Sequence, residues 1–141
     1  MEGTERMRIV VGFLRSPEGR AALQRAVEEA RLRDAELLVI HSFKGGPRED
    51  EGEMLAYREE FERLEQQLNS EGISYSLREF VRGNAPDDDL LQAAKDENAD
   101  MIVIGIRRRS PVGKLVLGSN AQDILLQADC PVLAVKAAPE D

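Results

Sequence analysis

With 141 residues, 42% of them hydrophobic, the chain has material for one packed core and too much apolar content to stay disordered. Its net charge of −8 excludes a general nucleic-acid binder, because a polyanion is repelled everywhere except at a local basic patch. No apolar run approaches the roughly 20 residues of a membrane span, the opening Met1-Glu2-Gly3-Thr4-Glu5 lacks the layout of a secretion signal, and the lone Cys130 can form no internal disulfide. The expectation is a cytoplasmic protein with neither a nucleic-acid nor a membrane partner.

Residues 7–13 (MRIVVGF) form a continuous apolar run, as expected of a strand buried on both faces. Ser16-Pro17-Glu18 then opens a helix: serine caps a free N–H, proline suits the first helical position and glutamate suits the positive end of the dipole. Leu23, Ala26, Val27 and Ala30 follow at helical spacing on one face. A second strand spans 36–42 (ELLVIHS), and a loop follows at Lys44-Gly45-Gly46-Pro47. The pattern predicts a longer helix over about 51–69, with Met54, Tyr57, Phe61, Leu64 and Leu68 on its apolar face, stopped by Gly72.

Residues 74–82 (SYSLREFVR) alternate and read as a third strand with one face less buried. Gly83-Asn84-Ala85-Pro86 is a turn, and a third helix begins with Asp87-Asp88-Asp89 and ends near Asn98. A fourth buried strand covers 101–105 (MIVIG), followed by a loop over 106–117. A short helix over 120–128 puts Ala121, Ile124, Leu125 and Ala128 on one face, and 130–135 (CPVLAV) is the last strand. Strand–helix alternation implies parallel pairing through right-handed crossovers, hence an α/β protein with helices on both faces of the sheet. Ligands of such sheets bind beyond the carboxyl ends of the strands, where the strand order reverses.

The stretch 105–120 carries the most chemistry. Gly105 ends a strand, Gly118-Ser119-Asn120 opens a helix, and Arg107-Arg108-Arg109 with Lys114 concentrate positive charge in an acidic chain. A helix start offers free N–H groups to phosphate. On spacing alone, the glycines can equally serve turns, with Ser119 or Asn120 merely capping. The stretch is not a Walker loop, since Leu115 follows Gly113-Lys114 where serine or threonine is needed. No G-x-G-x-x-G follows the first strand, so a dinucleotide is unsupported.

Gly105, the later Gly118-Ser119 and the closing ADCPVLAVK resemble the universal stress proteins, whose nucleotide-binding members show Gly-x2-Gly-x9-Gly-(Ser/Thr). IVVGFLRSPEGRAAL, ELLVIHS and GNAPDDDLLQAA are similar to further segments of that family, so the resemblance runs over nearly all of a single domain, 1–141. It implies a doubly wound five-stranded parallel sheet in the order 3-2-1-4-5, which sets the loops after strands one and four side by side. It also implies a regulatory protein rather than an enzyme, binding an adenine nucleotide, ATP or AMP, with Mg²⁺ allowed beside it. In that reading Arg107, Arg108 and Lys114 meet phosphates. Gly105 and Gly118 give backbone access, and Ser119 and Asn120 donate at the helix start. Gly12, Phe13, Ser42 and Ile104 lie near base or ribose. The resemblance further implies a C2 homodimer through Pro131-Val132-Leu133-Ala134-Val135.

The chain departs from the family pattern at three positions. Leu14 stands where an acidic residue approaches the ribose, Arg15 where glycine or an aromatic residue follows, and Arg108 at the second glycine. Arg108 either fills the phosphate space or replaces backbone contacts with its guanidinium. The alternative function is therefore a dimeric interaction module that has lost its nucleotide. A slow ATPase or nucleotidyl transferase ranks below both, for want of a general base and a carboxylate pair.

The remaining polar residues read as structural. Cys130 behaves as a small apolar residue beside a strand. His41, the only histidine, is structural or lines the base pocket, and it has no partners for zinc. Asp87, Asp88 and Asp89 favour the helix dipole and point in different directions, so they form no metal cluster. The acidic second helix presents a solvated face.

Overall fold

The computed structural model describes residues 6–43, 51–81, 86–107 and 119–137, the side chains of Phe43, Val81 and Ser119 excepted. Five strands alternate with four helices: β1 (Arg8–Gly12), α1 (Pro17–Arg33), β2 (Glu36–Phe43), α2 (Glu51–Ser70), β3 (Tyr75–Val81), α3 (Pro86–Asp96), β4 (Met101–Ile106), α4 (Ser119–Gln127) and β5 (Val132–Lys136). The strands form one parallel sheet in the order β3-β2-β1-β4-β5.

The apolar runs become strands because both of their faces are covered. Ile9, Val11, Leu37, Val39 and Val103 pack beneath α1 and α2, against Ala26, Val27 and Leu68. Val10, Leu38, Ile40, Ile102 and Ile104 face the other way, onto Leu90 and Ala93 of α3 and Ile124 of α4. Each such side chain contributes about 1.5–3 kcal/mol by leaving water.

The start of α1 has the geometry its sequence predicts. Ser16 is extended (φ −137°, ψ 160°) and its Oγ accepts the Gly19 N–H at 3.0 Å, with Pro17 next. The helix ends at left-handed Asp34 (φ 50°), whose N–H reaches the carbonyls of Ala30 and Arg31. Gly72 (φ 70°) turns the chain after α2, and Asn98 (φ 52°) does the same after α3.

Several boundaries differ from expectation. β5 begins at Val132 rather than Cys130, because Pro131 has no N–H to give the ladder; its carbonyl accepts from the Ile102 N–H at 3.0 Å. On α4 the inward face is narrower than the periodicity implies. Ile124 is buried and Ala121 and Ala128 half-buried, but Leu125 is 41% exposed, as befits a nine-residue helix over the sheet's edge. At the α3 start the three aspartates do point in different directions: Asp88 is exposed, whereas Asp87 and Asp89 are 4% and 3% exposed.

Candidate functional site

The strand order reverses between β1 and β4, whose chains leave the sheet in the same direction and feed helices on opposite faces. A cavity of ≈ 110 Å³ opens there. It gathers Gly12, Phe13, Ser42, Ile104, Gly105 and Asn120, six of the residues singled out from the sequence. Ile40, Leu90, Val103 and Ile124 add apolar wall, and Asn120 brings in the start of α4. A Cβ at Gly12 would meet only the Leu90 Cδ1, at 4.0 Å, so no clash demands glycine there; the residue leaves that part of the cavity open.

Gly105 answers a different need from the one its spacing suggests. A Cβ at this position would collide with the Glu18 carbonyl, so glycine lets the first turn of α1 lie against the end of β4. The same turn supplies Glu18 to the cavity wall. Arg107 does not line the cavity. Its Nε donates to Glu18 Oε2 at 3.0 Å and its second guanidinium nitrogen to Oε1 at 3.4 Å, so its charge is already answered within the chain. Burial pushes the Glu18 carboxyl up, but its own backbone N–H, Arg107 and Ser16 outweigh this and hold it below the ordinary value.

Of the remaining expected ligands, Arg108, Lys114 and Gly118 lie outside the described residues, and Ser119 is described only as the first residue of α4. Leu14 lines the cavity and is 46% exposed. Arg15 turns to α2: it lies 3.4 Å from Glu60 and 5.5 Å from the centre of the Tyr57 ring. His41 is on the opposite face of β2 from Ser42. It stacks on Tyr57 with ring centres 4.4 Å apart and meets the edge of Phe13, which makes it part of the α2 packing and not of the cavity.

The sequence reading missed the polar end of this cavity. Asp87 lines it, and Asp89 accepts the Ser42 hydroxyl at 2.7 Å, tying α3 to β2. A signal was present. Leu90, Ala93 and Ala94 are the buried apolar positions of α3, and stepping back three residues from Leu90 and four from Ala93 reaches Asp87 and Asp89 on the same face. Asp123 on α4 meets Asp87: the hydrogen bond its protonated carboxyl gives to Asp87, burial, and the charges of Asp87 and Asp88 push that carboxyl above the ordinary range.

A doubly wound parallel sheet with a cleft at its switch point defines a class of α/β ligand-binding proteins. Within that class, the universal stress protein family model matches residues 5–136. A universal stress protein of Mycolicibacterium smegmatis is 44% identical over 128 residues, spanning 91% of this chain and 96% of that protein. Two structures of the universal stress protein from Archaeoglobus fulgidus superpose with TM-scores of 0.75 and 0.69, at 39% and 33% identity, each spanning 92% of this chain and 98% of the other. The second of these is a complex with dAMP. The chain belongs to the universal stress protein family.

Proposed function

We propose that this chain is a regulatory, non-catalytic universal stress protein of the cytoplasm that binds an adenine nucleotide, ATP or AMP, in the cleft between the loops after β1 and β4. The observation that carries the reading is the convergence of Gly12, Phe13, Ser42, Ile104, Gly105 and Asn120 on one cavity at the strand-order reversal. The dAMP complex of the Archaeoglobus fulgidus relative, at 33% identity, supports the ligand class. Apolar walls take the base, and the α4 start with Gly118, Ser119, Arg108 and Lys114 takes the phosphates, with Mg²⁺ as a companion of ATP. Because Arg107 is held by Glu18, it closes the α1 turn over the cleft rather than serving as a free phosphate ligand. Binding acts by occupancy, stabilising the ligated form by mass action.

Calorimetric titration of nucleotide-stripped protein with ATP, AMP and cyclic AMP, with and without Mg²⁺, tests this. One saturable site per chain is the expected result, lost in Gly118→Glu. Silence at millimolar ligand, with no shift in melting temperature, favours instead an interaction module whose pocket has closed. The observations on that side are Leu14 in the cavity wall and the Glu18–Arg107 pair.

In either reading the chain acts as a C2 homodimer through Pro131-Val132-Leu133-Ala134-Val135. β5 is the outer strand of the sheet, paired to β4, and its Val132, Leu133 and Val135 are half-buried. An apolar edge strand is normally covered or paired. Light scattering at micromolar protein is expected to give twice the chain mass; the mass of one chain rejects the dimer.

A further inference from the structure

One group in the cleft has no role in the reading above. Asp87, in the first turn of α3, is 4% exposed and lines the cavity together with Ile40, Leu90 and Ile104. Its Oδ1 has no hydrogen-bond partner. The contrast with Asp89 is informative: that carboxylate is as deeply buried, but it accepts the Ser42 hydroxyl at 2.7 Å. A buried acceptor left unpaired bears the desolvation cost of the group without a compensating bond, and native structures seldom keep one without a function.

The surroundings limit what can complete it. An ionised carboxylate only accepts hydrogen bonds, so the missing partner is a donor. Phosphate is disfavoured beside the carboxyl of Asp87, whose charge already acts on Asp123 of α4. Apolar side chains flank the carboxylate, which suits the faces of a flat heteroaromatic ring with its polar edge turned towards α3. Granted the nucleotide reading, on which this inference rests, we propose that Asp87 is a specificity-determining residue whose buried Oδ1 accepts a hydrogen bond from the exocyclic amino group of bound adenine. The base then lies at the α3 end of the cleft, with the phosphates directed away from the aspartates.

The test compares AMP with purine riboside 5′-monophosphate, in which hydrogen replaces the amino group, by calorimetry on nucleotide-stripped protein. The parent is expected to bind AMP about tenfold or more tightly than the analogue, the factor of one good buried hydrogen bond. In Asp87→Ala that ratio falls to about one, while binding of the analogue persists. Asp87→Ser keeps a small polar group at the helix start but removes the carboxylate and its reach into the cleft, and it gives the same loss if the alanine variant folds poorly. Reading the ratio separates recognition of the amino group from a general effect on the fold. Equal binding of AMP and analogue by the parent, retention of the preference in both variants, or tighter binding of GMP than AMP overturns the assignment and leaves the nucleotide site standing. No saturable binding of any purine nucleotide to the parent overturns the nucleotide reading and the assignment together.

Discussion

At the scale of single residues, the positions that matter most in the cleft are fixed by neighbours far away in the chain. Gly105 is the clearest case, because what forbids a side chain there is the Glu18 carbonyl. Gly105→Ala is therefore expected to cost about 1–3 kcal/mol by overpacking, read as a lower urea midpoint. Asp123 offers the opposite sign. Its carboxyl is raised above the ordinary value of 3.8 by Asp87, so the charged form is less favourable folded than unfolded. That penalty is present above the folded pKa and vanishes below 3.8. Asp123→Asn is expected to raise the melting temperature at pH 7 and to leave it unchanged at pH 3, which paired melts at the two values check. At Cys130, burial first, then the charges of Asp100 and Asp129, push the thiol up, so alkylation at pH 7 proceeds more slowly than for a free cysteine. The bland reading of Cys130 from sequence agrees with that environment. Asp87, Asp88 and Asp89 stand in the first turn of α3 as expected, but the burial of Asp87 and Asp89 was not foreseen, because charge alone says nothing about which side of a helix a neighbouring strand will cover.

At the scale of elements, legibility follows burial. β1 and β4 are covered by helices on both sides, so they appear in the sequence as unbroken apolar runs, and each was found to within a residue or two. α1 carries its own punctuation. Removing the Ser16 Oγ that accepts the Gly19 N–H, as in Ser16→Ala, is expected to cost about 1 kcal/mol, seen as a shift of the urea midpoint at constant slope. Ser16 also touches Glu18, so the same change loosens the turn that holds Arg107. α4 and β5 were less legible. Both lie at an edge of the sheet, where Leu125 meets solvent despite its spacing and where Pro131 delays the ladder by withholding a donor.

At the scale of the whole molecule, ion pairs clasp elements that are distant in sequence. Arg15 and Arg20 of the α1 start meet Glu60 on α2, Arg31 meets Glu71, and Arg107 meets Glu18. Pairs this exposed are each worth little, but the carboxyls of Glu18 and Glu60, and of Glu29 paired within α1 to Arg25 and Arg33, share a sign. For Glu18 and Glu60, burial raises the pKa but arginine contacts overcome it; for Glu29 the hydrogen bond from Arg33 leads, burial opposes and Arg25 helps. All three are held below the ordinary 4.5. Their stabilisation is complete above that value and is lost as the pH falls through the depressed folded values. Urea midpoints measured from pH 6 down to pH 3 should fall accordingly, and 1 M salt should flatten the dependence.

The sequence by itself determined the order and kind of the elements, the parallel sheet with two covered faces, and family membership. Each of these is encoded locally, in periodicity, caps and short motifs. Only the tertiary structure decided that Glu18 closes on Gly105 and holds Arg107, that His41 faces α2 while Ser42 binds Asp89, and that Asp87 is sealed into the cleft with one oxygen unpaired. The physical reason is that these facts concern contacts between residues tens of positions apart. They depend on register and on the reversal of strand order, neither of which leaves a periodic trace along the chain.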